Sequence, residues 1–361
     1  MRPDYYGVLY RQFATFLHEK GGTGQFLNVS GPSGDDVRWT RGLLDTTSPM
    51  LPNGLSMHYY SGGADEPTKF DAAAMDEQFK SFAKVEAAIV HQRAVLDGYR
   101  GGSHVGLILD EWGVWDKIPE ADEKRYGKLQ QQSTMRSGVA AGLGLNLFNR
   151  QAAKLHMCNI AQIVNVLQSL LITDGADGTR CVRTTTYYAF LLFKEHRGNM
   201  AVYVENGGKD PLGVSVSATR AAGKLVVSLV NPQDKEEVTA ECELQGVTAR
   251  NATARILHHA DRNAAKSLDA PDAITPQPHP ARVEAGKLLV DLPLMHAART
   301  SLMLLLANIR AALSHVRRVA EQTTATVRWK TLLDYIVARI IPRRPRKLLQ
   351  TCALPTGNCW F

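Results

Sequence analysis

The chain has 361 residues, of which 44% are hydrophobic and 21% charged, and its formal net charge is +7. That balance is ordinary for a globular protein with room for two domains, and no apolar run reaches the length of a membrane span. The charge is uneven: residues 308–361 carry ten Lys or Arg against two acids, a net of +8, whereas residues 1–307 carry 32 bases against 33 acids. A nucleic-acid or anionic-lipid partner would therefore have to bind the tail alone.

The cysteines and the first residues exclude further classes. The five cysteines are scattered and contain no Cys-x-x-Cys pair, so neither a disulfide framework nor a zinc site is indicated. We expect no metal and no cofactor. The first residues lack the apolar segment of a signal peptide, so the predicted setting is the reducing cytoplasm.

Helical and strand-like patterns alternate through the first 198 residues. Apolar side chains recur at helical spacing between short apolar runs that are typical of buried strands. Strands that alternate with helices of ten or more residues indicate β/α units around a parallel sheet. Strands are predicted at 25–29, 54–60 and 105–115, with a fourth ending near 162, and helices at 4–18, 39–44, 72–99, 131–148 and 184–196.

The pattern changes near residue 199. From there the predicted elements are short, β-branched and separated by turns, which indicates an antiparallel β-sandwich of about a hundred residues. The predicted strands cover 201–204, 213–219, 225–230, 237–244, 255–257, 287–292 and 301–306, with a surface loop at 270–280. The predicted domains are therefore 1–198 and 199–307, followed by a basic tail at 308–361.

The tail has a third composition. Helices are predicted at 309–319 and 329–341, ahead of the basic run at 342–347. A basic patch with Trp329 and Tyr335 has the composition of a nucleic-acid or anionic-lipid site. We favour an extension unrelated to the rest of the chain and do not expect it to bind either partner.

Polar and aromatic residues stand at the predicted carboxyl ends of three strands, where parallel α/β folds keep their chemistry. They are His58 and Tyr60 on one strand, Glu111 and Trp115 on the next, and Gln162 on the third. A carboxylate, hydrogen-bonding groups and flat aromatic faces are what a neutral polyhydroxyl substrate requires. Each residue alone also fits a structural role, such as capping a helix or joining an ion pair. Their coincidence at one edge favours a site.

Three motifs carry a resemblance to a known family. They are residues 54–60 (Gly-Leu-Ser-Met-His-Tyr-Tyr), 110–115 (Asp-Glu-Trp-Gly-Val-Trp) and 159–166 (Asn-Ile-Ala-Gln-Ile-Val-Asn-Val). Together with residues 146–150, 186–190 and 224–232, and in this order, they resemble the family-51 glycoside hydrolases, the retaining α-L-arabinofuranosidases. The resemblance runs from about residue 3 to residue 307. It implies the second half of a TIM (β/α)8 barrel followed by a jelly-roll-like β-sandwich.

The resemblance also implies roles. Glu111 would be the catalytic nucleophile on the seventh barrel strand, forming a covalent glycosyl-enzyme. His58 and Tyr60 on the sixth strand would hold the sugar and orient the nucleophile, and Trp115 and Gln162 would line the pocket. Asp110 receives no catalytic part. The expected partners are arabinofuranosyl oligosaccharides and, for an intact enzyme, further copies of the chain.

One part of the family pattern has no counterpart. The family's general acid/base lies in a Gly-Asn-Glu segment on the fourth strand, and this sequence resembles the family only after that segment. We therefore expect a half-barrel that lacks the acid/base and is inactive as given. Three functions stay open: removal of terminal α-L-arabinofuranosyl groups from arabinan or arabinoxylan oligosaccharides, sugar binding without catalysis, and a related activity on xylosides or β-glucans.

Overall fold

The structure is a computed structural model. It describes residues 1–17, 25–48, 50–62, 65–174, 179–206, 213–221, 223–233 and 238–292, and the backbone of 300–311 and 335–342.

A four-stranded parallel sheet with helices occupies the first part of the chain. The strands lie in the order β1-β2-β3-β4, and each pairs in parallel with its neighbour. The strands are β1 (Asn28–Val29), β2 (Gly54–Gly62), β3 (Gly106–Trp115) and β4 (Leu155–Ile160). The helices are α1 (Pro3–Phe16), α2 (Val37–Thr47), α3 (Ala72–Ala83), α4 (Val85–Asp97), α5 (Glu120–Tyr126), α6 (Met135–Arg150) and α7 (Thr185–Phe193).

Side-chain caps fix where several of these helices begin. The Asp36 carboxylate accepts hydrogen bonds from two backbone N–H groups in the first turn of α2, and Asp71 accepts one in α3. The Thr184 hydroxyl accepts one in α7. Short polar side chains at these positions satisfy N–H groups that have no partner within the helix.

Aromatic packing joins the sheet to its helices. Trp112 is fully buried on β3, with its ring centroid 6.0 Å from that of Phe82 on α3 and 4.9 Å from that of Phe148 on α6. Trp112 therefore belongs to the core, whereas Trp115, three residues later, is partly exposed.

The remaining strands form mainly antiparallel pairs. A hairpin of β5 (Leu171–Thr173) and β6 (Cys181–Arg183) precedes α7. The other ten strands lie in the order β12-β11-β15-β9-β8-β7-β16-β10-β14-β13 and are antiparallel except for the β7–β16 pair. They are β7 (Met200–Asn206), β8 (Ser215–Ala221), β9 (Lys224–Asn231), β10 (Val238–Leu244), β11 (Val247–His259), β12 (Gln277–His279), β13 (Arg282–Glu284), β14 (Lys287–Leu292), β15 (Thr300–Ala311) and β16 (Tyr335–Pro342).

Strand β9 is buried on both faces and joins the two parts of the chain. Leu225, Val227 and Leu229 lie in the core between the antiparallel strands. Val226 and Val230, which point the other way, lie in the core of the α/β part. Since successive side chains of a strand point to opposite faces, this single run supports both cores.

A buried polar network reinforces that junction. Asn146 on α6 donates to the Ser215 carbonyl at 3.0 Å, and its side-chain oxygen accepts hydrogen bonds from Ser217 and Ser228 at 2.8 and 2.5 Å. Buried polar groups are costly without partners, and here the Asn146 amide has them.

Three of the predicted helices differ from the structure. The helix predicted at 329–341 is wrong over 335–341, where β16 pairs with β10 and β7, and residues 309–311 of the other tail helix belong to β15. The rest of the tail lies outside the described residues. The single helix predicted at 72–99 is two helices, because the Lys84 N–H bonds to the Ser81 carbonyl three residues back and the chain turns there. No helix in the described ranges is long and apolar enough to cross a bilayer.

Candidate active site

Strands β2 and β3 bring four of the five predicted site residues together. Their parallel register sets His58 opposite Glu111 and Tyr60 opposite Gly113, so both strands present these side chains at the carboxyl end of the sheet. The side chains of His58 and Glu111 are each a little over one-third exposed. The cluster is therefore open to a ligand.

Tyr60 makes the shortest contact in this cluster. Its hydroxyl donates to the Oε2 atom of Glu111 at 2.6 Å. Burial, and then the hydrogen bond to Glu111, raises the pKa of Tyr60 well above its usual value. Tyr60 is therefore a neutral donor at physiological pH. A hydrogen bond to an ionised acceptor is stronger than a neutral one.

His58 lies between two carboxylates. Its Nε2 atom is 3.3 Å from Asp110 Oδ1, and its Nδ1 atom is 3.5 Å from Glu111 Oε2. Oε2 of Glu111 thus faces both Tyr60 and His58. No described residue donates a hydrogen bond to the other oxygen, Oε1.

Trp115 forms a wall beside this cluster. Its side chain is 43% exposed, and its ring lies edge-on to that of Tyr60 with centroids 5.3 Å apart. An exposed indole next to a phenol offers a flat apolar face with hydrogen-bonding groups beside it, which suits a sugar ring.

Gln162 lies at the same end of the sheet, two residues after β4. The preceding N–H, that of Ala161, bonds to the Trp112 carbonyl of β3, and the Gln162 N–H bonds to the Val166 carbonyl. The Gln162 side chain is exposed. Within the described part of the chain, no hydrogen bond joins it to His58, Tyr60 or Glu111, so its role as a sugar ligand stays a prediction.

The end of β3 is supported by residues that the sequence did not reveal. β4 pairs with β3 only as far as Trp112, and beyond it two glutamines take the place of a neighbouring strand. Gln168 accepts from the Val114 N–H at 2.8 Å, and Gln131 donates to the Val114 carbonyl at 3.0 Å. A side chain at Gly113 would press on Gln168, since an added Cβ would lie 3.2 Å from its Oε1.

A buried ion pair follows directly after Trp115. Asp116 and Arg136 are both fully buried, with Arg136 Nη2 2.8 Å from Asp116 Oδ1. Gln78 donates to the same carboxylate at 2.8 Å, and the guanidinium lies 3.7 Å from the centroid of the Phe70 ring. Burial raises the pKa of Asp116, and the Arg136 charge opposes that rise. The pair ties the end of β3 to the first turn of α6. No motif marks it, because its two members are twenty residues apart within an expected loop and helix.

Comparison with known proteins gives the family. A sequence model of the α-L-arabinofuranosidase C-terminal domain matches residues 110–295, which is just over half of the chain and includes both carboxylates of β3. The chain belongs to the family-51 α-L-arabinofuranosidases. The resemblance in the sequence is thereby confirmed.

Relatives in this family are longer than the chain. It is 31% identical over 314 residues to the intracellular exo-α-L-arabinofuranosidase of Bacteroides ovatus, and the match covers 81% of the chain and 59% of that relative. The crystal structure of the family-51 arabinofuranosidase from Xanthomonas axonopodis pv. citri is 28% identical, with a TM-score of 0.76 over 85% of this chain and 63% of that one. The chain therefore spans about three fifths of the length of the relatives that it matches.

A second solved structure supports the fold alone. The family-51 α-L-arabinofuranosidase of Bifidobacterium longum is 21% identical with a TM-score of 0.68, over 85% of this chain and 64% of that one. Together with the family match, this confirms the predicted fold class, a partial TIM barrel followed by a jelly-roll-like sandwich.

Proposed function

We propose that the chain carries the nucleophile side of a retaining α-L-arabinofuranosidase site, acting on terminal arabinofuranosyl groups of arabinan or arabinoxylan oligosaccharides. The observation that carries the proposal is the asymmetry of Glu111. Its Oε2 is held by the Tyr60 hydroxyl, while Oε1 accepts no hydrogen bond from the described residues. A nucleophilic carboxylate needs one oxygen held and the other free to attack.

The proposed first step is attack of Glu111 Oε1 on the anomeric carbon. A C–O bond to Glu111 forms, the glycosidic bond breaks, and its electron pair leaves with the departing oxygen. Water then releases the sugar from the glycosyl-enzyme. In retaining glycosidases a second carboxyl about 5 Å away donates the proton that the leaving group needs. We assign that role to no residue of the described part, because Asp110, the adjacent carboxylate, contacts His58.

The remaining site residues are proposed to hold the sugar. Trp115 would stack against one face of the furanose ring, and Tyr60 and His58 would help to hold the sugar and orient the nucleophile. Gln162, two residues after β4, would reach a sugar hydroxyl. The Bacteroides ovatus relative is named as an intracellular enzyme, and we propose the same setting here.

The test uses a substrate that needs no proton donor. With 2,4-dinitrophenyl α-L-arabinofuranoside the leaving group departs as an anion, so Glu111 alone suffices to form the glycosyl-enzyme. We expect intact-mass spectrometry to show one arabinosyl group added, and peptide mapping to place it on Glu111. Glu111→Gln should abolish the addition. Glu120→Gln, which removes an exposed carboxylate paired with Lys124 on α5, is the matched control. Labelling of any other residue, or none, would refute the proposal.

Sugar binding without chemistry is the second candidate, favoured by the exposed Trp115 beside Tyr60. It predicts that arabino-oligosaccharides release heat on binding while the activated glycoside leaves no covalent adduct. Trp115→Ala should remove that heat. The same labelling assay with the corresponding aryl xyloside and β-glucoside separates these substrate classes from the arabinofuranoside.

A further inference from the structure

Strand β3 contains one extra residue at Asp110. Against β2, Leu109 pairs with Met57, and the next pair is Glu111 with His58. Against β4, Leu109 pairs with Cys158 and Trp112 pairs with Ile160, so β3 advances by three residues where β4 advances by two. The register therefore shifts on both sides of β3 at the same place, which is a β-bulge.

The bulge changes where the two acidic side chains point. In a regular strand, residues 110 and 111 would face opposite sides of the sheet. Here both reach one imidazole, Asp110 from the Nε2 side at 3.3 Å and Glu111 from the Nδ1 side at 3.5 Å. Re-aiming a side chain is what bulges do near active sites.

We propose that Asp110 is a positioning residue, which holds the His58 ring through Nε2 so that Nδ1 faces Glu111. The inference rests on the proposed function, in which Glu111 is the nucleophile. Asp110 Oδ1, the oxygen nearest His58, is buried and accepts no well-aligned hydrogen bond from any described residue. A buried carboxylate oxygen without a donor is costly, so the Nε2–H of His58 is the group that it is placed to accept.

The role resembles that of the acid that orients histidine in a catalytic triad. The acid does not touch the substrate. It fixes the ring, and the ring fixes the geometry of the reacting group. His58 Nδ1 lies 3.5 Å from the same Oε2 that Tyr60 holds, so a ring free to rotate would change what that oxygen of Glu111 faces.

The experiment compares Asp110→Asn with the parent chain by two readouts. The first is the rate of Glu111 labelling by 2,4-dinitrophenyl α-L-arabinofuranoside. We expect it to fall roughly 10- to 100-fold at saturation, the size of loss that a small misplacement of a reacting group causes, with the half-saturating concentration little changed. Asp76→Asn, which removes a carboxylate from an exposed pair with Lys80 on α3, should label at the parental rate.

The second readout is the ring 15N NMR signal of His58, assigned by its loss in His58→Asn. Asp110→Asn should move it, and Asp76→Asn should not. If the parent chain is not labelled, the proposed function fails, and the NMR signal still decides the Asp110–His58 contact. An unchanged His58 signal in Asp110→Asn overturns the inference.

Non-additivity gives the sharpest check. If Asp110 acts through His58, then Asp110→Asn should cost little more labelling rate in a His58→Asn background. Effects that multiply would show that Asp110 acts by another route and would refute the proposal. Should Asp110→Asn fail to fold by circular dichroism, Asp110→Ser removes the carboxylate with a small polar side chain and takes its place in both readouts.

Discussion

Replacement of Arg136 by methionine tests the support beneath the site. The change keeps much of the side-chain volume but leaves the buried Asp116 carboxylate with only neutral donors, among them Gln78. Removing one partner of a buried ion pair costs about 3–5 kcal/mol. At about 2.1 cal/mol/K per residue, the entropy of unfolding of the 361-residue chain is about 0.8 kcal/mol/K, so Tm at pH 7 should fall by roughly 4–7 °C.

The loss should depend on pH. Burial already raises the pKa of Asp116, and without the Arg136 charge the pKa should rise further. An acid whose pKa is raised on folding destabilises the native state as pH rises through that pKa, and the penalty disappears below the unfolded value of about 3.9. The variant should therefore approach the parent chain in Tm between pH 7 and pH 5, measured by circular dichroism.

The double variant Asp116→Asn with Arg136→Met is the matched control. It replaces the orphaned charge with a neutral amide, so most of the lost stability should return. A single variant that loses less than about 1 kcal/mol, or whose loss is the same at pH 5 and pH 7, would contradict the reasoning.

Two further predictions concern single groups. Tyr60→Phe removes the hydrogen bond to the Glu111 carboxylate, and a bond of this kind contributes about 1.5–3 kcal/mol. Labelling of Glu111 should therefore slow roughly 10- to 150-fold. An unchanged rate would show that the contact is not used in the reaction. Burial, and then the Lys224 charge, lowers the pKa of His196 to about 3. The unfolded chain protonates His196 near pH 6.5, whereas the folded chain keeps it neutral. As pH falls from 6.5, the free energy of unfolding of the parent, measured with urea, should therefore decrease by up to about 1.4 kcal/mol per pH unit more than that of His196→Asn. Equal slopes would count against a neutral, buried His196.

The sequence predicted the residues of the candidate site but not the residues that support it. His58, Tyr60, Glu111 and Trp115 were predictable because a buried strand that ends in polar or aromatic residues is a local pattern. The bulge at Asp110 was not, since it depends on how β3 pairs with both neighbours and leaves no mark in composition. Gln131 and Gln168 look like ordinary loop polar residues until β4 is seen to stop short.

The same limit applies to the fold. The apolar run of β9 predicted a strand, yet nothing in it showed that its two faces serve different cores. Residues 335–341 repeat apolar side chains at a spacing that suits a helix, but pairing with β10 and β7 makes them a strand. At residues 335–341, long-range pairing overrides the local preference.

Helix α6 makes the two halves of the chain inseparable. Its first turn holds Arg136, which braces the end of β3, and its later turns bury Asn146 and Asn149 against serines of β8 and β9. A shorter chain that ended before β7 would leave those amides unpaired and uncover the apolar side chains that face β9. The sandwich thus supports the strand that carries Glu111, and cutting the chain near residue 199, where the sequence pattern changes, would break these contacts.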